Sequence, residues 1–426
     1  MNRSGVRFPQ AAPLDPACAA YAKCVDTSDK YVKFFERTLH ISGGPAIVCG
    51  VSAWDPERPY NDLPAPPSAD DLETRRVLKA AIGANAALAQ LDQAVASIPN
   101  PTVLINAIPI LEAQASSEIE NIVTTTDELF RHLEDEAGAD PATRETLRYR
   151  TALRVGFDRT LERGLTTATA SAICSIIKGR EMKVRALPGT RIGRPGTNEV
   201  IYSPPEGRDV INEKLSEWER FIHADDGLDP LVRMAAAHYQ FEAIHPFSDG
   251  NGRTGRILNV LMLMYAGLLG LPVLYLSRYI IDSKNDYYRL LLAVTAESAW
   301  EEWVLYVLAG IEVTSRYTLR KIAAIRRLQD DFNQRARAAS RGGADAEFQS
   351  VLFEQPYCRI ATVMERCDVS RPTATSWLTA LTEAGLLQTV KIGRDRLFIN
   401  REFLQLLARH EPLGELDTGG KELSTS

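Results

Sequence analysis

The chain is poor in cysteine, with six in 426 residues and none in a CxxC pair. Cys18, Cys24, Cys49, Cys174, Cys358 and Cys367 are scattered, which argues against a dense disulfide scaffold and any zinc-type spacing. Dispersed thiols fit a reducing cytoplasm. An apolar leader is also missing: Met1 to Pro13 holds no continuous hydrophobic core, so no signal peptide is expected. Internal repeats are absent. Neither sign of charge dominates, because the formal net charge is only −6. The surface as a whole is therefore not a nucleic-acid glove, although one domain can still carry a local basic patch. Finally, no apolar run is both long and unbroken. Ile257 to Leu276 comes nearest, but Asn259, Gly267, Gly270 and Pro272 interrupt it. The expectation there is a buried helix, a turn and a second apolar element, with no membrane partner.

What is present is ample core material, at 45% hydrophobic and 24% charged residues. The length calls for two or three domains. Residues 1–53 read as an extension with little periodicity beyond a short helical stretch, Tyr31 to His40. Residues 54–139 form an N-terminal segment. It opens on a proline-rich strap, Trp54 to Glu73, whose prolines forbid a long helix. A helix is then expected from Asp71 to Ile98, with Leu78, Ile82, Leu88 and Leu91 as its apolar positions, before Pro99-Asn100-Pro101 breaks it. Further helices are expected over Ile110 to Ile122, Thr126 to Glu136, Pro141 to Gly164 and Thr167 to Lys178. Residues 183–203 change to hairpin chemistry, with Gly189, Gly193, Gly196 and Asn198 among Val and Ile. Helical pattern resumes from Val210 to Leu308, so residues 140–310 form a helical core. Residues 311–349 read as a basic helix ending in a Gly342-Gly343 linker, and 350–405 as a compact module of helices and short strands. Residues 406–426 are a polar tail.

The stretch His245-Pro246-Phe247-Ser248-Asp249-Gly250-Asn251-Gly252-Arg253-Thr254-Gly255-Arg256 carries the chemistry. Pro246 ends one helix near His245. Gly250, Asn251 and Gly252 permit a tight turn with inward amides, and a new helix begins near Arg253. That is a backbone nest at a helix N-terminus, an anion site. Arg253 and Arg256 share one helix face and suit a polyphosphate. Asp249 is a hard oxygen ligand of the kind Mg²⁺ on a nucleotide needs. His245 at the mouth can take a proton near neutral pH. Together these residues point to transfer of part of a nucleotide to a hydroxyl.

This stretch resembles the signature of the Fic family, H-x-F-x-(D/E)-G-N-G-R-x-x-R, at every fixed position. The resemblance implies a mainly α fold: a helical Fic core with a small β-hairpin flap. It also implies AMP transfer from ATP to a Ser, Thr or Tyr hydroxyl of a target protein or of the chain itself, with loss of pyrophosphate. His245 would be the base, Phe247 a loop anchor and Asp249 the Mg²⁺ ligand. Gly250, Asn251 and Gly252 would cradle the phosphates with Arg253 and Arg256, and Thr254 and Gly255 would lie in the same nucleotide-binding turn. Tyr287 is a candidate for the adenine pocket, with helix packing as the alternative. His238, two turns before His245, reads as a core residue. Residues 183–203 stand where the family has its target-docking flap, and Arg191, Ile192 and Gly193 are candidate nucleotide contacts.

Ser116, Glu120 and Asn121 similarly fit the family's inhibitory motif, (S/T)-x-x-x-E-(G/N). The implied role is a brake, with Glu120 paired to Arg256 at the γ-phosphate position. Its placement in a helix before the core resembles the N-terminal-inhibition class. Removal of AMP from a target by the same glutamate, or transfer of a different phosphoryl group, is the alternative chemistry.

Residues 353–400 resemble a C-terminal winged helix-turn-helix. If it meets DNA, Arg371, Thr373 and Ser376 would enter the major groove and Arg394 and Arg396 would reach phosphates. Its charge nearly cancels, so dimerisation or a protein partner is an equal expectation, and a DNA-binding regulator using the Fic core as a sensor is the competing reading. Relatives also suggest a homodimer.

Overall fold

The computed structural model describes residues 54–409 apart from 99–101, 134–135, 137, 195 and 393–394. The expectations for residues 1–53, the Pro99–Pro101 break, Arg394 and the tail beyond 409 lie outside the described residues.

The chain enters as a strap. Leu63 is buried, Trp54 stacks on Tyr202, and the Tyr60 amide donates to the Ser203 carbonyl at 3.0 Å. Two helices follow where one was expected. Helix α1 (Ala69–Leu72) stops at Glu73, and Thr74 caps α2 (Arg75–Ala96) by accepting from the Val77 amide. The buried stripe of α2 is Val77, Ala81, Ala84, Leu88, Leu91 and Val95. Leu78 and Ile82, expected inside, face solvent, Ile82 at 73% exposure. The stripe is displaced by one residue because small Val and Ala side chains let the neighbouring helix come close.

Helix α3 (Thr102–Ile119) starts earlier than expected and holds Pro109 inside it. It is buried almost all round, which is the burial expected of an apolar helix enclosed by neighbours. Helix α4 (Thr126–Arg131) ends sooner than Glu136. Helices α5 (Pro141–Arg163) and α6 (Thr167–Lys178) match their expected spans. Asp140 caps α5 with Pro141 in its first turn, and Gly179 ends α6 in the left-handed conformation. The hairpin is β1 (Ile192–Gly193) against β2 (Val200–Tyr202), antiparallel and irregular in register.

The core helices are α7 (Arg208–Ile222), α8 (Pro230–Ile244) and α9 (Asn251–Tyr265). Nearly every residue of α8 and of α9 up to Leu263 is buried. The apolar run thus becomes α9, a turn at Gly267, and α10 (Leu276–Asp282), followed by α11 (Lys284–Glu297). Among the described residues no helix is long and apolar enough to cross a membrane.

Helix α12 (Trp300–Ala339) runs unbroken for 40 residues and packs along α2. The basic stretch from 311 is its second half and not a separate helix. Several of its cations are occupied: Arg335 forks onto Glu402 at 3.0 and 2.5 Å, and Lys321 donates to the carbonyls of Leu406, Leu407 and Arg409. The final module comprises α13 (Ala346–Glu354), β3 (Tyr357–Arg359), α14 (Ile360–Cys367), α15 (Arg371–Glu383), β4 (Gln388–Ile392), β5 (Asp395–Ile399) and α16 (Arg401–Ala408). Its sheet has the order β3-β5-β4, all antiparallel. Ser370 caps α15, as expected. The module packs on the core: α13 lies against α3, α16 against α4, and the Tyr357 hydroxyl donates to Asp127 at 2.5 Å.

Gly342-Gly343 is not a loose linker. Both glycines are buried in a tight turn, where a Cβ on Gly342 would run into the Trp377 ring and one on Gly343 into the Ala336 backbone. Backbone cannot yield as a side chain can. Gly343→Ala is therefore expected to cost about 2 kcal/mol or more. A melting temperature several degrees below the parent's should result, and an unchanged one would contradict this packing.

Candidate active site

Helix α8 ends at His245, whose φ is +49°, and α9 begins after Gly250, whose φ is +85°. Six residues, 245–250, join the two helices, and three side chains fix their path. Asn251 pins Phe247 from both sides: its Oδ1 accepts from the Phe247 amide at 2.8 Å and its Nδ2 donates to the Phe247 carbonyl at 2.7 Å. Phe247 is fully buried beside Phe241. Arg185, from the segment before the hairpin, clamps the turn from outside. Its Nε donates to the His245 carbonyl at 2.7 Å, one Nη2 bond goes to Ile244 at 3.1 Å, and its own amide meets the Pro246 carbonyl.

The resulting cavity, about 390 Å³, is lined by His245, Ser248, Asp249, Gly250, Asn251, Gly252, Arg253, Glu120, Ile122, Glu145 and Lys178. The first turn of α9 opens into it, so amides and dipole favour an anion there. His245 is half-buried and its Nδ1 has no hydrogen-bond partner. Burial, with the nearby Arg185 charge, pushes its pKa down to about 4. The ring is thus neutral at pH 7, as a proton acceptor must be. Arg253 is buried, pairs with Glu145 at 2.8 Å and keeps Nε without a partner.

Ser116, Glu120 and Asn121 come to the same place. The end of α3 is a Schellman turn: the Ile122 amide reaches the Ser117 carbonyl and the Asn121 amide reaches Glu118. That turn needs a left-handed residue, and Asn121 supplies it with φ +60°. Glu120 is the cap residue and is thrown toward α9. Its Oε1 lies 2.8 Å from Arg256 Nη2, while Arg256 also donates to Ser116 Oγ at 2.8 Å and to the Ser116 carbonyl at 2.9 Å. The same Oε1 occupies the space a Cβ of Gly252 would need, so it rests on the first turn of α9. Arg256 is 2% exposed and Glu120 34%. Burial alone would raise the Glu120 carboxyl, but Arg256 outweighs it and holds the group below its usual range.

Other candidates stand apart from the cavity. Arg191 and Gly193 are exposed and Ile192 half-buried on the hairpin, and none of them lines it. Tyr287 is buried, with its hydroxyl 2.9 Å from His238 Nε2 and its ring near Trp303. Its neighbour Tyr288 is 44% exposed. Thr254 is buried, and Gly255 serves close packing: a Cβ there would meet Glu242 Oε1 at 2.5 Å and His238 at 3.3 Å. His238 is in the core as expected, its pKa pushed down to about 3 by burial and by Arg256. Burial pushes the Glu242 carboxyl up to about 7.

Sequence reasoning missed Arg185, Glu145, Lys178, Lys284 and Glu112. Lys284 donates to the Ile119 carbonyl at 2.6 Å, closing the end of α3. Glu112, two turns before Glu120 on the same face, accepts from the Ser277 amide at 3.0 Å, from its hydroxyl, and from Tyr149 at 3.3 Å. No local pattern marks these residues. Only the i, i+4, i+8 spacing of Glu112, Ser116 and Glu120 carried a readable sign.

A preformed anion nest with a neutral imidazole at its rim and an internal carboxylate on its first turn defines an anion-handling site that carries its own counter-ion. Comparisons with known sequences give its family. The Fic/DOC family N-terminal model matches residues 78–158, the Fic/DOC family model 167–263, and the protein adenylyltransferase SoFic-like C-terminal domain 328–403. The chain belongs to the Fic/DOC family. It is 33% identical to protein adenylyltransferase fic-1 of Caenorhabditis elegans over 100 residues, which is 22% of this chain and 18% of that protein. It is 42% identical to protein adenylyltransferase Fic of Culex quinquefasciatus over 65 residues, covering 15% and 13%. The matches thus span under a fifth of these curated relatives. Among solved structures, a Fic family protein from Desulfovibrio desulfuricans G20 aligns over 79% of this chain and 98% of its own, at 18% identity and TM-score 0.46. Fic-1 (aa134–508) from C. elegans aligns over 58% and 74%, at 19% identity and TM-score 0.44.

The neutral imidazole has a measurable consequence. Between pH 6.5 and about 4 the unfolded chain binds this proton and the folded chain does not, so the group withdraws stability as pH falls through that window. With only six histidines, NMR titration is tractable. His245 should titrate well below 6.5, and Arg185→Ala should move its midpoint up because a neighbouring cation is lost. A parent midpoint near 6.5 would contradict the assignment.

Proposed function

We propose that the protein is a protein adenylyltransferase held off by its own Glu120, moving AMP from ATP to a protein hydroxyl. The observation that carries this reading is the Glu120 carboxylate on the first turn of α9, paired to Arg256 within the nest. An anion site filled by an internal anion implies that the natural occupant is itself an anion.

The nest amides and Arg253 would hold the triphosphate, with Arg256 taking its far end once Glu120 withdraws. The neutral His245 imidazole at the cavity would accept the proton of the target hydroxyl. The hydroxyl oxygen then bonds to the α-phosphorus while the bond from that phosphorus to the α–β bridging oxygen breaks, and pyrophosphate leaves with the electron pair. The amides and guanidinium stand ready where charge develops and need no reorganisation. The hairpin 183–203 would lay the target segment across the mouth by strand pairing.

Family resemblance also implies Mg²⁺. The residues fit it: the half-exposed Asp249 carboxylate already binds a cation, the Lys178 ammonium, at 2.6 Å. Among the described residues no cluster of three metal-binding side chains occurs, so phosphate oxygens would complete the shell, as Mg²⁺ commonly requires. Bound there, the ion would neutralise charge on the phosphates.

The carboxylate also repels a triphosphate directly. Glu120→Gly should therefore raise self-labelling from α-labelled ATP by roughly tenfold or more, with an intact-mass gain of one AMP. Adding His245→Ala should abolish it. Unchanged labelling in Glu120→Gly would sink the brake; no AMP adduct in either protein or in lysate targets would sink the reaction. Deleting Glu120 also leaves the buried Arg256 without its counter-ion, which is destabilising. ATP with Mg²⁺ is expected to raise the melting temperature of Glu120→Gly by several degrees and that of the parent much less.

For the C-terminal module, Arg366 is committed to Glu347 and Glu354 at 2.7 and 2.6 Å. That cation is thus occupied within the module, and the DNA and dimer readings rest on resemblance alone.

A further inference from the structure

Lys178 ends α6 and lays its stem across the nest, where a Cβ on Gly250 would lie 3.4 Å from Lys178 Cδ. Its ammonium is 2.6 Å from Asp249 Oδ2 and 2.8 Å from Glu145 Oε1. That same Glu145 oxygen is 2.8 Å from Arg253 Nη1. The four groups form an open, neutral chain of alternating charge, Asp249–Lys178–Glu145–Arg253, on the wall of the cavity that holds His245. Neither Lys178 nor Glu145 belongs to the twelve-residue signature, and the reaction derived above makes no use of the ammonium.

The carboxylate expected to hold a divalent cation is therefore already engaged by a cation of the chain itself. An ammonium is a compact, hydrated point charge with three rotatable donors on a flexible stem, and it exchanges partners more readily than a guanidinium fork. It binds the same hard oxygens that a divalent cation binds. A divalent ion cannot share Asp249 with Lys178 and Arg253 so close unless new negative charge enters, and a triphosphate brings that charge. We propose that Lys178 is a placeholder for the metal: it joins the Asp249 and Glu145 carboxylates while the site is empty and yields Asp249 to the divalent cation that enters with the nucleotide. Glu145 is then a second carboxylate of the cation site, and metal alone binds poorly because it must evict the ammonium. This proposal rests on Asp249 being the metal carboxylate of the reading above.

The experiment titrates Mn²⁺ alone, without nucleotide, into the full chain and follows binding by water-proton relaxation. Lys178→Met keeps the stem over Gly250 and removes the charge. It should bind Mn²⁺ roughly tenfold more tightly than the parent, about 1.4 kcal/mol. Lys178→Arg should stay close to the parent. Adding Asp249→Asn to Lys178→Met should return binding to the parent level or weaker, placing the ion at that carboxylate. Should Lys178→Met melt early, Lys178→Gln, which keeps a hydrogen-bond donor to Asp249, serves with the same expectation. Mn²⁺ affinity equal to or weaker than the parent's in the folded neutral variant overturns the proposal. Because the readout needs no transfer reaction, its failure is separable: tighter Mn²⁺ without any AMP adduct in Glu120→Gly would sink the reaction and leave the placeholder standing, and AMP transfer with unchanged Mn²⁺ affinity would do the reverse.

Discussion

The Arg256 guanidinium is the point on which the site turns. It is buried between α3 and α9, so it must be paired at all times. Ser116 supplies two neutral acceptors and Glu120 the counter-charge. With Glu120 in place, Arg256 has its counter-charge and the space over Gly252 is occupied. An anion that is to pair with Arg256 must therefore displace Glu120. A single cation thereby ties the end of α3 to the first turns of α9. The coupling is local because Glu120 is a helix-cap residue: the Schellman turn that Asn121 permits aims it, and Lys284 and Glu112 hold the helix at either end of the face.

How much of this was legible depended on distance along the chain. The turn between α8 and α9 was readable because it lies within twelve consecutive residues whose glycines, asparagine and proline dictate local backbone. The meeting of Glu120 with Arg256 was readable because Ser116, Glu120 and Asn121 make one helix end. Arg185, Glu145 and Lys178 were not readable: each reaches the site from another helix or loop, and an isolated Arg, Glu or Lys carries no local sign of its partner. Periodicity failed by one residue in α2, where Leu78 and Ile82 looked like core and Val77 and Ala81 proved to be. Hydrophobicity alone favoured the larger side chains, whereas close helix packing favoured the smaller ones. Glycine misled at 342–343, where it was read as slack and in fact permits contact with Trp377 and the end of α12.

The C-terminal module is not an appendage on a tether. Its helix α13 packs on α3, the helix that ends at Glu120, and Tyr357 holds Asp127 on the next helix. Helix α3 is thus enclosed by the core on one side and the module on another, which accounts for a helix apolar around nearly its whole circumference. The cations of the second half of α12 serve this docking through Lys321 and Arg335.

Helix α12 runs from the core to the module without a break. Its 40 residues make a rod about 60 Å long. A flexible linker would let the module sample many distances from the nest; a rod fixes one. The separation of the module from the turn at 245–250 is then set by the number of residues in one helix, a property that no residue at either end encodes.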